Sequence, residues 1–238
     1  MAVISENIEI AKGIFKMCLS GAPLGEAGQF LMLKQPDSLD PFLARPLSYC
    51  NIDKNSGTVT LVYQTIGKGT KAFSKLKQGS LMQAVGPCGR GFPLVSGNAV
   101  LIGGGIGTAP LLLLAHALRE SQPERHIKVH LGFREEAYLI KEFGQYADEV
   151  SVDIGGIITD AADFSQAAAY YACGPEPMLK AAALKAEKAG AELYISLEKN
   201  MACGVGACFG CTCKTKGGNK RICKDGPVFN ALEVHDVL

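Results

Sequence analysis

Five of the chain's nine cysteines crowd into the stretch 203–223: Cys203, Cys208, Cys211, Cys213 and Cys223. The first three read C-x4-C-x2-C, a spacing with which thiolates hold a [2Fe–2S] cluster. Glycines at 204, 206 and 210 suit such a loop. They let the backbone wrap tightly and aim N–H groups at the sulfurs, which favours the more negative reduced cluster. A fourth thiolate is required, and Cys223, beyond the turn Gly217-Gly218-Asn219, is expected to supply it. Cys213 competes for that role; it lies two residues from Cys211 on an expected strand, so both side chains share a face, and it reads better as a buried neighbour. A four-thiolate zinc site is the alternative, but such sites usually show paired C-x2-C knuckles, and here one pair is followed by a lone cysteine. Cys18, Cys50, Cys88 and Cys173 are scattered. An odd count, an N-terminus without a basic-then-apolar leader and one dense cluster predict metal ligation in a reducing, cytoplasmic setting, not a disulfide framework.

A second group of residues suits phosphates and flat aromatic cofactors. In Arg45-Pro46-Leu47-Ser48 the guanidinium can grip two oxygens of a diphosphate at once, while Ser48 and the adjacent backbone can reach a flavin ring. An isolated Arg-Pro pair is most often a solvated turn; the order of the motifs downstream of it gives the reading its weight. Val62-Tyr63-Gln64 closes a strand that can lie along a flavin. Gly67-Lys68-Gly69-Thr70-Lys71 opens a helix whose free N–H groups suit a phosphate, with Gly69 and Thr70 as candidate ligands. Gly86 to Phe92 is another glycine-rich turn. Gly103-Gly104-Gly105-Ile106-Gly107-Thr108-Ala109-Pro110 follows an apolar strand and enters a helix with Pro110 near its first turn, the context of a dinucleotide diphosphate site. It is not G-x-G-x-x-G, which argues against a plain Rossmann dehydrogenase. Cys173-Gly174-Pro175-Glu176-Pro177-Met178 again joins a strand to a helix, and its small turn would let nicotinamide approach a flavin. Taken alone, Cys173 reads as a packed core thiol.

These residues need elements to position them. Residues 1–96 read as short strands, clearest at Phe30–Leu33 and Gly57–Tyr63, broken by Gly, Pro, Asn and Asp, the pattern of a small antiparallel β-barrel. From residue 97 strands and helices alternate: strands at Ala99–Ile102, Ile127–Leu131, Val150–Ile154, Ala169–Ala172 and Leu193–Leu197, helices at Pro110–Glu120, Tyr138–Tyr146 and Pro177–Ala189. This predicts a parallel sheet covered on both faces over residues 97–198. Residues 199–238 form a small cysteine-rich module. Among 238 residues, 47% apolar content can build such cores, and a formal charge of +1 gives no global field for nucleic acid or membrane. Ala99–Leu118 is apolar, but its glycines fit a strand, turn and helix better than a membrane span.

The order RPLS, GKGT, GGGIGTAP, CGPEPM and C-terminal CGVGACFGC resembles the ferredoxin-reductase superfamily over essentially the whole chain. Within it the terminal cluster motif is most similar to the electron-transfer subunits of NAD-dependent dihydroorotate dehydrogenases. The resemblance implies an FAD-binding barrel, an NAD-binding α/β domain and a [2Fe–2S] tail. It implies FAD contacts at Arg45, Pro46, Leu47, Ser48, Val62, Tyr63, Gln64, Gly69 and Thr70. It implies NAD contacts at Gly103, Gly104, Gly105, Gly107, Thr108, Cys173, Gly174, Pro175 and Glu176, and cluster ligands at Cys203, Cys208, Cys211 and Cys223. It also implies an FMN-containing catalytic subunit that oxidises dihydroorotate, joined in a heterotetramer. The family often has Arg where Gln64 stands, so one charged flavin contact is missing here.

Rival readings share these modules or deny the cluster: another ferredoxin or NAD(P)H reductase, a sulfide dehydrogenase or hydrogenase diaphorase, or a zinc-stabilised or redox-sensing binding module. Glu135 and Glu136, after the second parallel strand, favour NAD over NADP, with Arg134 pulling the other way. His116, His126, His130 and His235 have no catalytic companion in view. Lys214, Lys216, Lys220, Arg221 and Lys224 beside the proposed ligands are either a solvated hairpin or a basic rim that orients a docking protein.

Overall fold

The computed structural model describes residues 1–36 and 39–234, so His235 lies outside the described residues. The first half holds six strands: β1 Ala2–Ala11, β2 Ile14–Ser20, β3 Phe30–Lys34, β4 Arg45–Asp53, β5 Thr58–Gln64 and β6 Leu81–Cys88, with helix α1 Lys68–Phe73 between the last two. They close into a barrel in the order β1-β2-β5-β4-β3-β6, every pairing antiparallel. Period-2 alternation drives Met17, Leu19, Leu31, Leu33, Leu61 and Met82 into its core. β3 is buried along almost its whole length. Leu31 and Leu33 join the barrel core, whereas Phe30 and Met32 belong to a second apolar cluster outside the barrel wall.

The second half alternates as expected: β7 Ala99–Gly104, α2 Thr108–Ser121, β8 Ile127–Phe133, α3 Ile140–Phe143, β9 Glu149–Ile154, β10 Ala169–Cys173, α4 Glu176–Ala189 and β11 Leu193–Ser196. After it come β12 Thr212–Thr215, β13 Gly218–Arg221, α5 Ile222–Asp225, β14 Val228–Asn230 and α6 Ala231–Val234. The sheet runs β14-β11-β10-β7-β8-β9. Five strands are parallel; β14, from the cysteine-rich tail, adds antiparallel to β11. All five residues of β10 are buried: Tyr171 and Cys173 face the cluster that holds α2, Tyr170 and Ala172 the cluster that holds α4. Burial on both faces is what lets a parallel strand be apolar throughout.

The helix expected over Tyr138–Tyr146 is only Ile140–Phe143. Leu139 sits in the left-handed region at φ 64 just before it, and Gly144 caps its end. Phe143, fully buried, anchors that single turn, so tertiary burial holds what the local sequence does not sustain.

The barrel and the sheet are locked by the connection between them. The Tyr171 hydroxyl donates to the Pro93 carbonyl at 2.9 Å and accepts the Val95 N–H at 3.2 Å. Arg125, 3% exposed, donates to the Val95 carbonyl at 3.1 Å, and Gly97 N–H reaches Gln122 at 3.0 Å. Each bond satisfies a backbone group of the connection and ties it to the sheet domain.

Candidate redox and nucleotide sites

The thiol loop is built from left-handed turns. Gly204 and Gly206 take φ of 71 and 81°, and Phe209 takes 58°. This winding turns N–H groups inward onto sulfur: Gly206 N–H to Cys223 Sγ at 3.1 Å, Cys208 N–H to Cys203 Sγ at 3.5 Å, Gly210 N–H to Cys208 Sγ at 3.4 Å and Cys223 N–H to Cys211 Sγ at 3.4 Å. Each of the four sulfurs of Cys203, Cys208, Cys211 and Cys223 thus receives one backbone N–H. Backbone N–H groups, Cys208's foremost, pull the Cys203 thiol down to about 6. Burial, reinforced by Cys211, pushes Cys223 up to about 12.

This donor set fits the group the spacing implies. A two-iron cluster takes two thiolates on each iron, whereas zinc gathers four around one point. The four thiols, each met by a backbone N–H, can supply the two thiolates per iron that a two-iron cluster needs. Cys213 is 8% exposed and receives none of these N–H contacts; burial raises its thiol above the ordinary range. Arg221 is not part of a free basic rim. It is tied to Asp225 at 3.1 Å and to the Gly206 carbonyl at 3.1 Å, and it lies over the Phe209 ring, bracing the loop from behind. Lys214, Lys216 and Lys224 stay exposed and Lys220 half-exposed.

On the barrel, Arg45, Pro46, Leu47 and Ser48 remain partly open along β4. The Arg45 guanidinium donates to the Leu43 and Ala44 carbonyls, and among the described residues no carboxylate pairs with it. It lies against Gly69, where an added Cβ would come within 2.4 Å of its Nε. An unpaired guanidinium beside the first turn of α1, whose leading N–H groups lack intrahelical acceptors, fits a diphosphate. Thr70 Oγ1 accepts the Ile66 and Gly67 N–H groups at 3.1 and 3.3 Å, so its hydroxyl serves the turn itself. Val62 and Tyr63 are buried and Gln64 is exposed. The Tyr63 phenol points inward, donating to Asn7 at 3.0 Å and stacking on Phe15; it offers a cofactor only its backbone.

The glycine turn after β7 and the turn after β10 sit side by side, because sheet order reverses between these two strands. Such a reversal opens the crevice where α/β sheets take nucleotides. The fit is backbone on backbone: a Cβ on Gly107 would stand 2.4 Å from the Cys173 carbonyl oxygen, and one on Gly174 would stand 3.0 Å from Gly104. Above Gly105, at φ +53, there is open space. The fully buried Thr108 Oγ1 and the buried Tyr138 hydroxyl, which interact with each other, have no hydrogen-bond partner among the described residues. Pro175 and Glu176 are exposed at the rim. Cys173 is buried, bonded to Ser196 and pushed well up by burial. One neighbour carries no sequence signal: Glu198 interacts with Cys173. Its carboxyl is raised by local desolvation, although the residue keeps substantial exposed surface. No motif marks it; only the fold brings it there.

Glu136 accepts the Lys12 N–H at 3.1 Å and Glu135 lies 3.7 Å from the Lys12 ammonium, so the acidic pair reaches across to the β1–β2 turn. His116 stacks on Tyr146, His126 approaches Glu149, and His130 Nδ1 lies 2.6 Å from Ser151 Oγ; all three serve packing or surface pairs.

Residues 198–235 match the profile of the iron–sulfur cluster binding domain of dihydroorotate dehydrogenase B. The electron transfer subunit of dihydroorotate dehydrogenase B (NAD(+)) from Clostridium perfringens is 42% identical, covering 97% of this chain and 96% of the relative. That from Geobacillus thermodenitrificans is 40% identical over 98% and 97%. Among solved structures, the NADH-dependent reduced ferredoxin-NADP oxidoreductase aligns with TM-score 0.88 and 29% identity over 98% of this chain and 89% of that one. The ferredoxin reductase of carbazole 1,9a-dioxygenase shares the fold, with TM-score 0.66 and 20% identity over 80% of this chain and 65% of that one.

Proposed function

The chain belongs to the family of electron-transfer subunits of NAD+-linked dihydroorotate dehydrogenase B, and from that premise we propose how its residues divide the work. FAD is held on the barrel: Arg45 grips the diphosphate with the start of α1 at Gly69 and Thr70, and Pro46, Leu47, Ser48 and the Val62–Gln64 strand line the ring. NAD is held in the crevice between Gly103–Thr108 and Cys173–Glu176. Cys203, Cys208, Cys211 and Cys223 ligate the [2Fe–2S] cluster. Bound flavin supplies the exchange between two-electron chemistry with nicotinamide and one-electron chemistry with iron–sulfur.

The protein's own contribution is placement and exclusion. The glycine turns let two backbones close on each other, so nicotinamide can lie flat against them without a side chain intervening. Cys173, which burial holds in its neutral thiol form, adds no fixed negative charge to that crevice. The N–H groups aimed at the sulfurs stabilise added negative charge on the thiolates. The fixed connection at Val95 holds barrel and sheet in one relation, which preserves the spacing between sites.

The observation that carries this reading is the loop of four thiols at the C-x4-C-x2-C spacing plus Cys223, each sulfur met by a backbone N–H. The substrate site lies in a partner: an FMN-bearing catalytic subunit that oxidises dihydroorotate, assembled with this chain as a heterotetramer. Oxidising a carbon–hydrogen bond needs a positioned base, and the described histidines of this chain are committed elsewhere. The test is direct. The isolated chain should be coloured, oxidise NADH with artificial acceptors and leave dihydroorotate untouched; adding the catalytic subunit should give NAD+-linked dihydroorotate oxidation in a stable complex. Turnover of dihydroorotate by the homogeneous chain alone would overturn the division of labour, and a colourless chain would favour zinc.

A further inference from the structure

Met32 stands between the thiol loop and the strand that carries the Arg45–Ser48 motif. It is 2% exposed. Its neighbours Leu31 and Leu33 point into the barrel, so alternation turns Met32 outward. There it shares an apolar cluster with Phe30 and Cys88 from the barrel and with Cys211, Cys213, Ile222 and Cys223 from the tail. The contact with the loop is close. A Cβ on Gly204, the residue after Cys203, would fall 2.3 Å from Met32 Cγ and 2.9 Å from its Sδ. Gly204 also takes φ +71, so both its conformation and its contact demand glycine. The loop's approaches at Gly206, to Lys224 and Arg221, stay inside the tail; the one at Gly204 crosses to the barrel.

On its other side Met32 is paired across the ladder with Pro46, and Phe30 with Ser48. Neighbouring strands lie about 4.8 Å apart. One side chain and one strand spacing therefore separate the loop backbone beside Cys203 from the proposed flavin strand. Cys88, 6% exposed, sits in the same wall, and its thiol feels that of Cys203. An unbranched, polarisable thioether suits such an irregular gap.

We propose that Met32 is the positioning residue that keys the cluster-bearing loop to the barrel wall and sets its coupling to the flavin. The inference rests on the cofactor assignment above. Met32→Ala leaves a gap under Gly204 while sparing the barrel interior and both nucleotide motifs; Met32→Leu nearly refills it.

The test uses the full chain carrying both cofactors and follows single turnovers in stopped flow. In Met32→Ala, flavin bleaching by NADH should match the parent, whereas reduction of the cluster should slow by about tenfold, within the ~100-fold that a 1 Å misplacement can cost. The reduced-cluster EPR spectrum should change shape at full iron content, and Met32→Leu should recover most of the parental rate. Parental cluster reduction and spectrum in Met32→Ala would overturn the proposal, as would a Met32→Leu variant as slow as Met32→Ala. If Met32→Ala cannot hold iron, an iron-replete Met32→Leu with parental EPR and rate supports the keying role; iron loss in both variants that is matched by loss of FAD refutes it as general unfolding. A parent chain lacking flavin or iron would sink the assignment beneath, a result distinct from a loaded parent indifferent to Met32.

Discussion

Replacing Arg45 tests the flavin site most directly, because the structure leaves its guanidinium without a carboxylate partner among the described residues and packed on Gly69. A hydrogen bond to a charged group contributes about 1.5–3 kcal/mol, and each 1.4 kcal/mol is a factor of about ten in affinity. Arg45→Ala should therefore weaken FAD binding by about tenfold to about 150-fold. The companion variant, Gly69→Ala, adds a second and independent readout. Its new Cβ would stand 2.4 Å from Arg45 Nε and 2.7 Å from Cζ, so the guanidinium must swing away. Yet Gly69 lies within α1, where Ala is favoured over Gly by up to about 1 kcal/mol. Gly69→Ala should thus hold or raise the melting temperature of the FAD-free chain while weakening FAD, two effects of opposite sign. Fluorescence titration of FAD into stripped protein, alongside thermal denaturation without flavin, separates them. Parental FAD affinity in Arg45→Ala refutes the reasoning outright.

Three further outcomes are expected. Cys213→Ser should retain iron and visible absorption, whereas Cys223→Ser should lose them; the reverse would reassign the fourth ligand. In the iron-free chain, Cys203, lowered to about 6 from 9.0, should be the readily alkylated loop thiol, with labelling half-maximal near pH 6 when followed by peptide mass spectrometry. A depressed thiol contributes stability above its unfolded value near 9 and loses that contribution as pH falls towards 6, while Cys223, raised to about 12, contributes below 9 and loses it as pH rises towards 12. A melting curve of iron-free Cys203→Ser that keeps the parental pH dependence between 6 and 9 would contradict this. Gly107→Ala drives a methyl onto the Cys173 carbonyl; with backbone on the other side, overpacking should cost about 1–3 kcal/mol and weaken NADH binding, seen by calorimetry, with FAD affinity unchanged.

Much of this was legible in the residues. The three strand-to-glycine-turn junctions announce themselves locally, because a βα turn needs glycine where backbone approaches backbone, and the thiol spacing is a local property of one loop. Alternation likewise marks β5, and an unbroken apolar run marks β10. What could not be read is non-local. Nothing in Val228–Asn230 says that it returns to pair with β11, and nothing in Met32 says that its outer face meets Gly204. Glu198 reaches Cys173 only because β11 lies beside β10. The Tyr138–Tyr146 stretch has helical composition, but Leu139 and Gly144 confine it to one turn. Glu135 and Glu136 reach Lys12, a partner more than a hundred residues away in sequence, a contact that no local pattern announces.

The short strand β14 has a consequence for the life of the chain in a crowded solution. A parallel sheet has two open flanks, and an unpaired flank is a template on which another copy can build. At one flank β9 guards itself with Glu149 and Asp153, set among exposed positions. At the other, β11 is apolar and nearly all buried, and its guard is borrowed: Tyr194, Ile195 and Ser196 are paired by Asn230, Phe229 and Val228. Those three residues follow Cys223 by only a few positions. The loop that holds the electron carrier and the latch that keeps β11 from strangers are therefore one piece of chain, and whatever loosens the first exposes the second to self-association.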